Sequence, residues 1–472
     1  MKKQTITTLI GPIIFLISYF CIPTSVFGSV SANAAIGTLG RMAFWWITGA
    51  VDYAVTAFIP IVINALFQIT DMAKVISSYA SETIMLVLGA AIITASWDET
   101  GLDKRISLRF LSLIGSAVKW QVVFWYTICF ALSAVLPNAV VCAAMTPIAV
   151  SMLKYVGIDD IGKSKTGSLL LVTIAYAAGA GGIASPLGGA MNLVAVDYLE
   201  QVTNAEYMYS SWVVRFLPIT VVLIVSNIAM LLIGVKKQDN LGGSREYFVA
   251  QYKALPKIER QEIISLGLFL IATLLCFTRS LYQAYLPGLK PAYIFITCAV
   301  LSFLITKKDG TRIMKWKVTA KKIPWDLIYI FGGGLSIGVL IEGSGAAAAV
   351  GELVKKANLQ SGYLLVLLIV GVTILLSDVT SNTATAAISF PIVISIISGM
   401  KNVNAIPYIY ITTIGVNLSY MLPTSIRAVP VGYGLKPGYM FKKGVPITIV
   451  SIVIMSVVGY LLLKYWSLFS TV

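Results

Sequence analysis

The stretch "TSNTATAAISFPI", residues 380–392, sets a polar Ser-Asn-Thr step between two long apolar runs. At membrane depth a polar group without a partner costs several kcal/mol, so such a step needs either partners or a task. A second stretch, "LPNAVVCAAMTPI" (136–148), carries Asn138, Ala143, Pro147 and Ile148 exactly where the first carries Asn382, Ala387, Pro391 and Ile392, 244 positions later. The chain does the same thing twice.

Composition puts both stretches in a membrane. Hydrophobic residues make up 58% of the 472, charged residues 12%, and the mean hydropathy is +0.87; a soluble domain carries about 25% charge. Apolar runs of roughly 20 residues, enough to span a bilayer, recur along the chain. An all-α polytopic membrane protein is expected. The first run follows Lys2 and Lys3 and ends without an A-x-A site, so it reads as a retained helix and not as a signal peptide.

The net charge of +15 reads as topology and not as nucleic-acid binding. Basic residues cluster between Lys236 and Arg260, with Lys237 among them, and between Lys307 and Lys322, with Lys308 among them. The positive-inside rule puts both loops in the cytoplasm, together with the N-terminus. The uncharged loop 402–405 and the uncharged tail from Ser467 are expected outside a plasma membrane. Five scattered cysteines read as free thiols, and the chain has no histidine, the commonest metal ligand and the group that titrates near neutrality. An intramembrane enzyme would need an activated nucleophile with its base, or a metal, and neither is visible. No cofactor is expected.

Eleven spans are expected, near 9–28, 32–50, 53–70, 82–97, 166–200, 212–234, 262–281, 291–306, 325–342, 405–440 and 444–466. An amphipathic stretch at 98–115 is expected along the inner surface, with Lys104, Arg105 and Arg109 among the headgroups. Segments 119–154 and 361–399 are too long for one span and polar in the middle, so each reads as a re-entrant hairpin with Asn138 or Asn382 at its tip. Segments 166–200 and 405–440 are broken by "GAGGIASPLGGAMN" and "NLSYMLPTSIRAVPVGYG".

The halves match in one order. Gly89 and Gly332 lie 243 apart, the tip asparagines 244, and Pro186 and Pro423 237. Corresponding copies are five spans apart, an odd number, so they run in opposite directions. This is the inverted-repeat plan of secondary transporters, with a first repeat at 1–235, a cytoplasmic loop at 236–260 and a second repeat at 261–472. Irregular backbone at that depth must be buried in protein or line a wet cavity. Half-helix N-termini offer positive dipole ends to an anion, and unwound carbonyls suit a cation. The tip residues Asn138, Ser381, Asn382 and Thr383 are therefore candidates for anion binding. So are Ser185, Gly188 and Asn192 in the first break, and Thr424 and Arg427 in the second. An arginine inside a span is a functional hypothesis by default, and its planar fork suits a carboxylate. Asp378 reads either as a proton carrier or as a cap for the tip.

Four segments, 43–66, 81–109, "PWDLIYIFGGGLSIGVLIEGSG" (324–345) and the 380–392 stretch, resemble the divalent anion–sodium symporter family of carboxylate transporters, in one order from about residue 40 to 440. The resemblance implies an elevator-type homodimeric carrier of di- or tricarboxylates, with two Ser-Asn-Thr tips and two broken-helix loops enclosing one anion and two sodium ions. The second tip is intact here. The first reads Pro137-Asn138-Ala139, without hydroxyls, and the second break carries Arg427 where the family usually has Thr-Pro-Pro-Asn. Remaining sodium candidates are Ser133 and Gly188 in one half and Ser377 and Asn382 in the other. These departures point to the family's sodium-independent exchangers, with Arg427 as a fixed counter-charge whose bare guanidinium would hold back the empty carrier. The alternative is sodium-coupled symport.

Overall fold

The structure is a computed structural model that describes residues 2–113, 115–236, 238–307, 310–356, 362–400 and 402–471. Lys237 and Lys308 of the basic clusters, and Ser361 at the start of the second hairpin, lie outside the described residues. Helices build the fold; among the described residues, β-pairing is confined to two isolated bridges.

The principal helices of the first half are α1 (Lys2–Leu16), α2 (Val30–Thr48), α3 (Ile59–Phe67), α4 (Glu82–Thr100), α5 (Leu102–Leu111), α6 (Val118–Ser133), α7 (Asn138–Tyr155), α8 (Lys165–Gly181), α9 (Ala190–Thr203) and α10 (Tyr209–Leu232). The second half comprises α11 (Arg260–Phe277), α12 (Pro291–Ser302), α13 (Trp325–Gly343), α14 (Ala346–Lys356), α15 (Tyr363–Val379), α16 (Asn382–Ser398), α17 (Ile406–Asn417) and α18 (Pro437–Tyr465). Seven helices among the described residues are long and apolar enough to cross a membrane, and five shorter apolar helices accompany them. The chain is an all-α multi-pass membrane protein.

Several ends follow from local chemistry. Ser29, Ser81 and Ser164 each cap a helix by accepting a backbone N–H, which satisfies a donor the helix itself cannot. Glu259 and Glu262 form a capping box at the start of α11. The second broken helix ends earlier than the expected 440. Its distal half stops at Gly432, Gly434 turns in the left-handed region at φ +101°, and α18 begins with Pro437 at its first position. Glycine permits that turn and proline suits a first helical position, so the final span starts at 437 and not at 444. The expected span at 53–70 is also divided, between Thr56 and Ile59.

The two halves present the same helices in the same order, with starts at 82 and 325, 102 and 346, 118 and 363, and 138 and 382. One corresponding pair, α4 and α13, starts from opposite ends. α4 runs from the Glu82–Lys290 ion pair to Asp98 and Glu99, which pair with Lys322. α13 begins three residues after Lys322 and ends with Gly343 against Thr70. The helix pairs at the two polar steps also start from opposite ends. Val118 donates to the carbonyl of Asp239, in the basic loop. Tyr363 packs on Tyr460, near the tail that Asn404 and Arg215 bind.

These end contacts generate a labelling prediction. In a Cys21→Ser background, which removes the one exposed thiol among the five cysteines, Tyr155→Cys should react with an impermeant thiol reagent from the cytoplasmic face only. Asn402→Cys should react from the outside only. Labelling of both from one face would refute opposite insertion of the two hairpins.

Candidate functional site

A cavity of about 540 Å³ lies where the two hairpin tips meet. Pro137 and Asn138 line it from the first hairpin, Asn382 and Thr383 from the second, and Ser425 and Ile426 from the second break. It extends to Asp98, Asp103 and Lys322, on the side of the basic loops. α7 begins at Asn138 and α16 at Asn382, so both helices present their N-terminal, dipole-positive ends to the cavity. Pro137 offers α7 no side-chain cap, whereas Ser381 accepts the Ala384 N–H and caps α16.

Few side chains on this wall have free polar atoms. Among the described residues, Asn138, Thr383 and Ser425 make no side-chain hydrogen bond to the protein. Asn382 is already engaged: its Nδ2 donates to the Asn417 carbonyl at 3.3 Å, and its Oδ1 accepts from Ser419 Oγ at 3.0 Å.

Behind the tips, the breaks show a repeated device. In the first break Asn192 Nδ2 donates to the carbonyls of Gly182 (2.7 Å) and Ser185 (2.8 Å). In the second, Arg427 donates to the carbonyls of Ser419 (3.3 Å) and Leu422 (2.8 Å). Gly182 and Ser419 are 237 positions apart, as are Ser185 and Leu422, the spacing of the two break prolines. An amide in one half and a guanidinium in the other hold corresponding carbonyls. Arg427 also donates to the Ser377 carbonyl (3.1 Å), to Thr424 Oγ1 (2.6 Å) and to Ser419 Oγ, so its three nitrogens make five contacts, and it is 1% exposed.

This placement departs from the sequence expectation. Arg427 is not on the cavity wall, and its guanidinium is not bare. The charge has a local counterpart: Asp378 Oδ1 accepts the N–H groups of Tyr420 and Met421, both at 2.7 Å, and its backbone carbonyl accepts from Thr424 Oγ1 at 2.9 Å. Guanidinium and carboxylate grip the same loop, and Asp378 caps that loop. The position corresponding to Asp378 in the first half, 244 earlier, is Ala134. Acid and base are thus both particular to the second half.

The remaining candidates hold the frame. Ser133 Oγ donates to the Ala178 carbonyl (2.7 Å) and its mate Ser377 to the Val416 carbonyl (3.2 Å). Ser185 Oγ donates to the Ala134 carbonyl. A Cβ on Gly188 would lie 2.3 Å from the Ser133 carbonyl, so only glycine fits there. Asn192 Oδ1 accepts from Asn417 Nδ2 at 2.7 Å, which ties the two broken helices together. Of the sequence candidates, Asn138, Asn382 and Thr383 line the cavity and the others do not. Sequence reasoning missed Ser425, although it lies beside Thr424 in the quoted break.

A family model described as a citrate transporter matches residues 43–415. The sodium-dependent dicarboxylate transporter SdcS of Staphylococcus saprophyticus subsp. saprophyticus is 26% identical to this chain over 476 positions, covering 97% of it and 91% of the relative. SdcS of Staphylococcus aureus strain USA300 is 27% identical with the same coverage. Among solved structures, the YdaH transporter of Alcanivorax borkumensis superimposes with a TM-score of 0.52 at 12% identity, covering 84% of this chain and 88% of that one. At that identity the likeness concerns the fold.

The geometry separates two kinds of variant. Thr383→Ala and Asn382→Ala should abolish uptake, and Thr383→Ala should do so with thermal unfolding in detergent unchanged, because its hydroxyl holds nothing in the protein. Arg427→Ala should unfold at a markedly lower temperature, since it strands the buried carbonyls of Ser377, Ser419 and Leu422 at about 1–3 kcal/mol each. Unchanged stability of Arg427→Ala would refute the role given to the guanidinium.

Proposed function

The chain belongs to the citrate transporter family, and we propose that within it the protein is a secondary carrier of small dicarboxylates that exchanges one for another without sodium. The observation that carries sodium independence is the pair of filled breaks. The carbonyls that would suit a cation are taken by Asn192 in the first half and by Arg427 in the second. A side chain cannot leave with the substrate, so no ion from solution is needed to fold the loops. Substrates such as succinate, malate, fumarate or 2-oxoglutarate fit a site whose donors are Asn138, Thr383 and two helix N-termini.

Exchange rests on the tips and not on a bare arginine. Arg427 is balanced across its loop by Asp378, so its charge does not hold back the empty carrier. Occluding the cavity without an anion would instead leave the Asn138, Thr383 and Ser425 side chains without partners, at about 1–3 kcal/mol each. Each ~1.4 kcal/mol slows a step about tenfold, which favours return with a second anion aboard. The carrier is read as two inverted repeats, 1–235 and 261–472, working by elevator-type alternating access as a homodimer in the plasma membrane, with the N-terminus cytoplasmic and the C-terminus outside. A cavity that reaches the basic-loop side suits the inward-facing state of such a cycle.

The second reading, sodium-coupled symport, is favoured by the names of the SdcS relatives. Proteoliposomes decide between the two. Labelled succinate uptake should rise several-fold with internal succinate and be the same in sodium as in potassium. Sodium-driven accumulation into vesicles free of dicarboxylate would overturn exchange and support symport.

A further inference from the structure

Ser425 stands out in three independent ways. It is a non-glycine residue in the left-handed region, at φ +53°, a conformation few L-residues adopt and one that clusters at functional sites. Its side chain is exposed on the cavity wall. Its hydroxyl makes no hydrogen bond to the protein among the described residues, where most serines near the breaks are committed. The backbone around it is held from both sides: Arg427 fixes the Ser419 and Leu422 carbonyls, and Asp378 fixes the Tyr420 and Met421 N–H groups and, through its carbonyl, Thr424. Such a cage can impose a conformation that the residue would not adopt alone. In the first break the corresponding residue, 237 earlier, is Gly188, packed without room for a side chain. The second half alone turns a hydroxyl into the cavity at this point.

We propose that Ser425 is a specificity-determining residue whose hydroxyl binds a 2-hydroxy or 2-oxo substituent on the carbon chain of the transported dicarboxylate. The inference rests on the dicarboxylate reading above. A carboxylate belongs at the tips, where Asn138, Thr383 and the two helix N-termini converge. The same cavity wall carries apolar side chains, Ile426, Val140, Ala143 and Met191 among them, which suit methylene carbons. A single neutral hydroxyl, which both donates and accepts, matches a substituent of either kind better than it matches a second full charge. Arg427 and Asp378 are then positioning residues that aim Ser425.

The test compares malate, which carries a 2-hydroxyl, with succinate, which does not, in proteoliposomes containing wild type, Ser425→Ala or Ser425→Gly. Glycine accepts the left-handed backbone and alanine does not, so the pair separates the hydroxyl from the conformation. The expected result is a KM ratio, succinate over malate, that falls about tenfold from its wild-type value in both variants, the size of one lost hydrogen bond. An unchanged ratio in both overturns the proposal, and so does a ratio lost in Ser425→Ala but kept in Ser425→Gly, which would assign Ser425 a backbone role only. If Ser425→Ala fails to fold, Ser425→Gly alone decides. A wild type that moves neither diacid would overturn the dicarboxylate reading itself, an outcome distinct from wild-type transport with unchanged ratios.

Discussion

The structure depends on how it satisfies the carbonyls of two interrupted helices. A helix broken inside the protein loses internal hydrogen bonds at the break, and no bulk water is at hand to replace them. The protein supplies a donor from its own chain each time. Asn192 reaches Gly182 and Ser185, and Arg427 reaches Ser419 and Leu422. The amide is neutral and needs nothing further. The guanidinium brings a charge that is costly to bury alone, and the second half supplies Asp378 on the same loop. Arg427, Asp378 and the loop between them form one unit, and Ser419 joins that unit to the tip through Asn382.

With the breaks filled from within, Asn138 and Thr383 are left without side-chain partners at the tips. Both hairpin helices start at their asparagine and turn their dipole-positive N-termini to one cavity. The two tips are not equal. Ser381 spends its hydroxyl on capping α16. Pro137 cannot cap α7, and the wall on that side continues as Ala139 and Val140. On the cavity wall the second half presents Thr383 and Ser425, and the first half presents Asn138 beside an apolar surface.

The all-helical, multi-pass fold was legible in the sequence because membrane spans are long and uniform, and the residues that match between the halves are ones that backbone geometry constrains. Asn138 and Asn382, Gly89 and Gly332, and Pro186 and Pro423 each sit at a tip, a close helix contact or a break. The ends of elements were less legible, as at Gly434, where one left-handed glycine starts the last span early. The cavity lining was legible in part. Asn382 and Thr383, which line it, stand out in the sequence because polar residues among apolar ones have few innocent explanations. Arg427 was found but assigned the wrong neighbours: sequence spacing places it in the break, yet only coordinates show the carbonyls curling back onto it. Ser425 gave no signal beyond its place in the loop, since a left-handed φ at serine has no composition mark.

An ion taken from solution and a side chain can fill the same kind of carbonyl cage, but they differ in what happens on release. A bound ion departs by mass action, and the loop that it organised relaxes with it, which links loop order to ion concentration. Arg427 cannot depart and stays protonated at any physiological pH. On the exchange reading the loop 417–424 is formed whether or not substrate is present, and its charge is balanced by Asp378 in either case. On the exchange reading, the free-energy difference between loaded and empty carrier then lies in the cavity itself, in whether Asn138, Thr383 and the helix N-termini face an anion or nothing. Coupling of that kind needs no second ion, because the substrate on one side of the membrane does for the return step what it did for the outward one.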